Sequence, residues 1–460
     1  MKLQNDLGQD KIPGLVLRLA LPTMIAQFVS VLYSIVDRMY IGNIPIIGDA
    51  ALAGVGVCGP IVTLLSSFGT LVGLGGAPIL AMRLGQKNLR GAQAILSNGF
   101  ALLTVLSVVL SGRFVLFREP LLLLFGASQT TLLYANQYMS IYAAGTIFAL
   151  LATGLNSFII CQGYSTVAMG TVLIGAVLNI VLDPIFIFAL DMGVAGAAIA
   201  TVLSQMASCA FVVCFLLSKK VPVRITFGGY SWSVVSNILR FGLSPFVIIA
   251  TDSVLFIVLN MSLKRYGGAQ ADSLIACGTI VQSFLLLVSM PLGGITGGTQ
   301  PILSYNYGAG RTDRIRQGVK TILLAAVSFD VLMFILSRFC ALPFARIFSA
   351  DPQVLALSEW GIKIFTLAII PMAVQYALVD GLTALGVTKV SLWLSVFRKS
   401  TFLLSTLLLP VWLGATAVFY AEPVADLLAS CVSTAVFLLV FGRVMRQRDA
   451  MPEGTQLFGG

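Results

Sequence analysis

The chain contains one stretch of sequence twice, at a fixed offset of 223 residues. The matched positions include residues that shape the backbone: Pro22 with Pro245, Asp49 with Asp272, Gly75 with Gly298, Gly85 with Gly308, and Gly163 with Gly386. Proline and glycine restrict or free the backbone, so their recurrence indicates two copies of one folded unit. Duplicated halves in membrane-type sequence are typical of carriers that rock about a central site.

The composition places the chain in a membrane. Apolar residues make up 58% of it, charged residues 10%, and the mean hydropathy is +0.97. Soluble domains carry about 25% charged residues. The apolar stretches are long and do not alternate with polar residues, which favours helices over a barrel. There is no histidine, no C-x-x-C pair among the seven cysteines and no nucleophile–base pair, so we expect neither an enzyme nor a cofactor.

Windows of about twenty apolar residues predict twelve transmembrane helices. Their expected limits are 15–40, 50–82, 92–116, 131–161, 168–190, 194–218, 241–263, 275–305, 319–345, 356–385, 390–412 and 424–445. Six spans per half is an even number, so both halves begin on the same side of the membrane. The fold class predicted is therefore all-α, with two parallel-repeat six-helix lobes related by an axis along the membrane normal.

The loops predict the domain limits and the orientation. We expect an N-lobe at 1–218, a cytoplasmic linker at 219–240, a C-lobe at 241–445 and a cytoplasmic tail at 446–460. Of the 28 lysines and arginines, 18 fall on the side of the two termini and 7 on the other. The positive-inside rule then predicts that both termini are cytoplasmic. Membrane topology also explains the net charge of +10 without a nucleic-acid partner.

Acidic residues within the spans mark candidate sites, because a charge at membrane depth costs several kcal/mol. Asp37 lies roughly 22 Å above Pro22, and Asp183 roughly 22 Å above the cytoplasmic start of its span near Ala168, at 1.5 Å per residue. Asn179 is one turn before Asp183, and Thr201 opens the next span at a similar depth. Pro184 is expected to loosen the local helix. We predict that these oxygen atoms converge on a Na⁺ ion or a shared proton.

The second half lacks these acids but has others. Asp37 maps to Asn260 and Asp183 to Thr406 in the repeat. Asp380 and Arg398 form a structural pair in one interpretation. In the other, Asp252 and Asp380 face the central cavity and attract a cationic substrate. Asp330, in the middle of its span, has no partner that the sequence identifies, and its role stays open.

Several motifs resemble the signature of the multidrug and toxic compound extrusion family. They are PILSYNYGAG at Pro301–Gly310, Gln162-Gly163 after span 4, NIVLDP at Asn179–Pro184 and GVAGAAIAT at Gly193–Thr201. The resemblance covers nearly the whole chain and is greatest to the bacterial DinF-type branch. It implies a V-shaped two-lobe fold in the bacterial inner membrane. It also implies export of amphipathic, often cationic, organic compounds by antiport with H⁺ or Na⁺, with consequences for antibiotic resistance.

The resemblance also implies roles for single residues. Asp37, Asn179, Asp183 and Thr201 form the N-lobe cation site, and Asn156 supports them. Pro22 is the bend of the first helix that responds to the cation. The cavity contacts that it suggests are Gln282, Met290 and Tyr138. Another branch of the family has paired acids in its C-lobe. Asp252 and Asp380 match them only loosely.

A lipid-precursor flippase of similar shape is the alternative function. Such a carrier is expected to place several basic residues in its cleft to meet a pyrophosphate. Only Lys363, Arg398 and Lys399 lie well within the predicted spans, which disfavours it. The expected partners are small organic substrates and membrane lipid, and we expect the chain to work as a monomer.

Overall fold

The structure is a computed structural model, and it describes residues 4–451 except 126 and 128. Within that part of the chain all regular structure is helical. The helices of the first half are α1 (Ile12–Gly42), α2 (Gly48–Gly85), α3 (Leu89–Leu124), α4 (Gln129–Ile160), α5 (Ser165–Pro184) and α6 (Gly193–Leu217). Those of the second half are α7 (Trp232–Tyr266), α8 (Ala271–Gly308), α9 (Thr312–Phe339), α10 (Ala341–Ala345), α11 (Pro352–Phe365), α12 (Ile369–Ala384), α13 (Thr388–Leu413) and α14 (Ala421–Asp449).

The predicted fold class, with twelve spans, is confirmed. Eleven helices of the described chain are long and apolar enough to cross a membrane, and α11 with α12 makes a twelfth, broken span that bends by 47°. The predicted span 356–385 is therefore two helices. The predicted span 319–345 ends early as well, because α9 stops at Phe339 and the short α10 follows.

Two prolines act on their helices in different ways. α1 continues through Pro22 without a break. Because proline has no N–H, the carbonyl of Arg18 lacks its helical donor, and the hydroxyl of Ser165 on α5 donates to it at 2.9 Å. After Pro184, by contrast, α5 gives way to a π-helical turn at Ile185–Ala189. This change of helix type is the local loosening that the sequence predicts.

The two halves meet through a reciprocal contact of equivalent glycines. A Cβ added to Gly85 on α2 would lie 2.0 Å from the carbonyl oxygen of Tyr305. A Cβ added to Gly308 on α8 would lie 2.0 Å from the carbonyl oxygen of Met82. Met82 and Tyr305 are themselves 223 residues apart. The 223-residue offset therefore turns one contact into the other. This is expected of a parallel repeat whose symmetry axis runs between α2 and α8.

Further helix pairs complete the junction. α2 packs on α7, where Gly242 approaches the carbonyl oxygen of Leu71, and α1 packs on α8. The hydroxyl of Thr23 donates across this second pair to the carbonyl oxygen of Gly294 at 2.7 Å. The connection between the halves lies on the first half, since the side-chain oxygen of Gln162 accepts the backbone N–H of Val223 at 2.9 Å. The proposed domain limits stay predictions, and residues 452–460 of the predicted tail lie outside the described residues.

Candidate functional site

Two carboxyl groups meet inside the first lobe. Asp183 on α5 is fully buried, and Asp37 on α1 is half-buried. The two helices pack together, and the carboxyl groups lie within hydrogen-bonding contact of each other. Two carboxylates at this separation cannot both stay ionised unless a proton or another cation lies between them.

Neutral polar groups surround the pair. The side-chain amide of Asn179 donates to Asp183 Oδ1 at 3.1 Å and approaches Thr201 Oγ1 on α6 at 3.5 Å. The phenol of Tyr138 on α4 lies close to the hydroxyl of Thr201. Tyr138 is only 6% exposed and stacks on Tyr142. We expected Tyr138 to line the substrate cavity. In the structure it lies beside the carboxyl pair instead.

Several oxygen atoms of the predicted cation-site residues receive no hydrogen bond within the described chain. They are buried side-chain oxygens of predicted site residues: Asp37 Oδ1, Asn156 Oδ1, Asn179 Oδ1 and Asp183 Oδ2. A buried acceptor without a donor costs free energy, so each is available to a cation or proton. Asn156 belongs to α4, which packs against α5.

No basic side chain neutralises the pair. Among the residues described, neither carboxylate forms an ion pair within 4 Å, although Arg38 acts on Asp37 from an exposed position. The same part of the chain brings no third His, Cys, Asp or Glu to the two acids. The remaining donors are amide and hydroxyl oxygens, which suit a monovalent cation or a proton better than a multivalent metal.

The second lobe holds a different charge cluster. Arg398 on α13 donates to Asp426 at 2.8 Å and to Glu422 at 2.8 Å, and both acids lie on α14. Its guanidinium also lies 5.4 Å from the ring centroid of Tyr376. The interpretation in which Arg398 pairs with Asp380 is therefore wrong. Asp380 instead lies close to the polar side chains of Thr296 and Gln300 on α8.

The other polar residues of the second lobe are dispersed. Asp252 on α7 is exposed and pairs with Lys399. Asn260 and Thr406, the repeat equivalents of Asp37 and Asp183, each have a buried oxygen without a partner in the described chain. Asp330 is fully buried, and within the described chain neither of its carboxyl oxygens has a partner.

Two predicted cavity contacts and two unpredicted acids remain. Met290 is 38% exposed and Gln282 is half-buried, both on α8.

Glu422 and Asp426 were missed by sequence reasoning. Their spacing of four residues at the start of the last predicted span was the available signal, because it puts both acids on one helix face.

Comparison with known proteins identifies the family. The MatE family model matches residues 22–185 and again residues 246–429, so that each half carries one match. The chain belongs to the multidrug and toxic compound extrusion (MATE) family. The match confirms the resemblance that the motifs carry, while the DinF-type branch stays a prediction. The two MATE matches also agree with the internal repeat.

Individual relatives span almost the full length. The chain is 25% identical over 423 residues to the multidrug export protein MepA of Staphylococcus haemolyticus, covering 91% of each protein. It is 26% identical over 438 residues to an FAD transporter of Shewanella oneidensis, covering 93% of this chain and 95% of that one. Its fold matches the outward-facing conformation of a multidrug resistance MATE transporter of the MOP superfamily, with a TM-score of 0.89 and 22% identity over 96% of this chain and 98% of the other.

Proposed function

We propose that this MATE protein exports small organic compounds across the bacterial inner membrane in exchange for H⁺ or Na⁺. The observation that carries the proposal is the contact between Asp37 and Asp183, buried in the first lobe without an ion-pair partner within 4 Å among the described residues. Within the described chain no basic side chain forms an ion pair with either acid, so a mobile cation has to balance the charge. The site therefore changes its occupancy with the supply of H⁺ or Na⁺.

Occupancy is coupled to shape through α1. Asp37 and Pro22 lie on the same helix, and the Arg18 carbonyl next to Pro22 is held by Ser165 of α5. A cation that enters from outside is held between Asp37 and Asp183, and the change in charge there shifts α1 about Pro22. Substrate is then released outward, and the lobes rock back to receive the next one. The termini lie on the cytoplasmic side in this scheme.

The substrates that fit best are neutral or cationic amphipathic compounds, as the name of the MepA relative suggests. All three basic residues well within the spans already hold acids: Arg398 pairs with Glu422 and Asp426, Lys399 with Asp252, and Lys363 with Glu359. A pyrophosphate-bearing substrate needs uncommitted positive charge. This argues against the lipid-precursor flippase and against a dinucleotide like that of the Shewanella relative.

The test is transport in proteoliposomes with imposed gradients. A fluorescent cationic dye is loaded, and its movement is followed under a pH gradient or a Na⁺ gradient applied separately. For Asp183→Asn we expect gradient-driven dye transport to fall about 5–150-fold, the range of a lost coupling free energy of 1–3 kcal/mol. The gradient that drives the wild type identifies the coupling ion.

The matched control is Asp191→Asn. Asp191 is an exposed carboxylate in the loop after α5, and its φ of 52° is one that asparagine adopts readily. Its replacement is expected to leave transport at the wild-type rate. Undiminished gradient-driven transport by Asp183→Asn, in a protein that is inserted normally, would refute the coupling.

A further inference from the structure

The segment before α1 connects the two lobes on the face that carries the chain termini. We call residues 5–10 the N-terminal strap. At its first residue the strap is tied to the first lobe, where Asn5 donates to the carbonyl oxygen of Gly163 twice, from its backbone N–H at 3.1 Å and from its side-chain amide at 3.0 Å. Gly163 lies between α4 and α5 and has a φ of +89°. A Cβ there would lie 2.5 Å from the carbonyl oxygen of Asn5, so the fit is close.

The rest of the strap is tied to the second lobe through its own carbonyl oxygens. Asn306 at the end of α8 donates to Leu7 at 3.0 Å. Arg311 donates to Gly8 at 2.6 Å. The strap therefore hydrogen-bonds to both halves of the repeat within six residues of chain.

Arg314 on α9 is the centre of the second set. Its Nη2 donates to the carbonyl oxygens of Leu7 at 3.2 Å and Asp10 at 2.8 Å, and its Nε donates to the side-chain oxygen of Asn306 at 2.9 Å. Asn306 is fully buried, and Leu7 is 4% exposed. Charge-assisted hydrogen bonds in a buried setting are among the stronger ones, so this attachment is specific.

The strap lies beside the place where the lobes are closest. The Gly85–Tyr305 and Gly308–Met82 backbone contacts join α2 to α8 at the same end of the bundle. A cavity of about 300 Å³ lies next to this junction, lined by strap residues together with Leu84, Gln162 and Tyr305. The strap thus bridges a gap that direct packing between the lobes leaves open.

We propose that the N-terminal strap is a latch that holds the lobes together on the cytoplasmic side, with Asn5 and Arg314 as its positioning residues. The proposal rests on the proposed function, because it assigns this face to the cytoplasm and assumes rocking lobes. Opening towards the cytoplasm separates α2 from α8. The strap has hydrogen bonds to both lobes, so one set has to break in every transport cycle. The latch therefore stabilises the outward-facing state relative to the inward-facing one.

Hydrogen–deuterium exchange of the full chain in lipid nanodiscs tests the latch without any transport assay. The variants are Asn5→Ala, which removes the side-chain bond to Gly163 at the first-lobe end and leaves the backbone N–H bond, and Arg314→Lys, which keeps the charge but loses the fork of donors. Each is expected to speed amide exchange about tenfold at residues 82–90 and 305–312, and to leave residues 190–200 at the opposite end unchanged. Arg316→Ala is the matched control, because Arg316 is a half-exposed arginine of the same helix whose ion-pair partners among the described residues are Asp313 and Asp449.

Transport supplies a second readout that a purely structural role would not produce. If the latch opens, more of the protein is ready to bind substrate from the cytoplasm, so both variants are expected to lower KM for cytoplasmic substrate severalfold and to lower kcat as well. Exchange that matches wild type in both Asn5→Ala and Arg314→Lys overturns the latch. Faster exchange confined to residues 82–90 and 305–312 supports the latch even if no ion gradient drives transport. The latch and the proposed function can therefore fail independently of each other.

Discussion

The two lobes share their backbone packing and differ in their buried charge. Gly85 and Gly308 occupy equivalent positions and make the same contact in opposite directions. The acids are not equivalent, because Asn260 and Thr406 stand where the first lobe has Asp37 and Asp183. Duplication thus kept the contacts that build the junction and let the chemistry of one lobe diverge.

The way in which each lobe balances its acids is the more informative difference. In the second lobe, Arg398 supplies a permanent positive charge to Glu422 and Asp426. In the first, the described chain brings no such charge into ion-pair contact with Asp183. A fixed counter-charge makes a structural cluster, whereas its absence leaves the position to an exchangeable cation. The comparison predicts that changes in one cluster act on stability and changes in the other act on transport.

The largest expected effect is on stability, from Arg398→Met. It leaves two buried acids without their cation, and breaking a buried pair in this way costs about 3–5 kcal/mol. Asp183→Asn removes no ion-pair partner and is expected to change stability by less than about 1 kcal/mol. Thermal unfolding of both variants in the same detergent measures the contrast.

Removing the whole cluster is the control for that contrast. Arg398→Met combined with Glu422→Gln and Asp426→Asn removes all three charges of this cluster, and we expect it to recover most of the lost stability. The distinction between the lobes breaks down if Asp183→Asn destabilises the protein as much as Arg398→Met does.

We expect an intermediate loss of stability, equal in the two lobes, when Gly85 or Gly308 at the contact between α2 and α8 is replaced. Gly85→Ala and Gly308→Ala each put a methyl group 2.0 Å from a backbone oxygen, which has to move. Forcing such overpacking typically costs about 1–3 kcal/mol, and the symmetry of the contact predicts similar costs. Gly293→Ala on α8 is the control, because nothing lies within 4 Å of its added Cβ. Clearly unequal melting temperatures for the two glycine variants would contradict the shared packing.

The sequence predicted the fold and the first-lobe carboxyl pair for a physical reason. Apolar length identifies spans, and helical rise converts residue counts into depth, so counting residues alone brings Asp37 and Asp183 to one level. The same arithmetic fails for Arg398 and Asp426. On the predicted spans they lie at different levels, because the last span was expected to begin at residue 424. In the structure a 3₁₀ helix at Ala415–Tyr420 precedes α14, so the chain has already run eleven residues from Ala415 when it reaches Asp426.

The break between α11 and α12 falls at Thr366-Leu367-Ala368, three residues before Pro371. Proline has no N–H to donate to the carbonyl of Leu367, so the sequence held a local signal that the prediction of one continuous span did not use. Other features depended on contacts between distant segments. The strap was a short polar N-terminus in the sequence, useful only for topology. Its hydrogen bonds join Asn5 to Gly163 and Leu7 to Asn306, which are 158 and 299 residues apart. Local sequence carries no signal for partners at that separation.

The smallest expected effect sharpens the comparison most, because it changes a single hydroxyl in each lobe. Thr201→Val keeps the shape of the side chain but removes the oxygen that Asn179 and Tyr138 approach. The lost hydrogen bond is expected to weaken ion binding by about 1 kcal/mol. The H⁺ or Na⁺ concentration for half-maximal transport should then rise about fivefold, with an unchanged melting temperature. Thr401→Val on α13 is the matched change in the second lobe, where the hydroxyl donates to the carbonyl oxygen of Phe397 in its own helix. It is expected to leave that concentration as it was. Equal shifts from both variants would mean that ion binding is not confined to the first lobe.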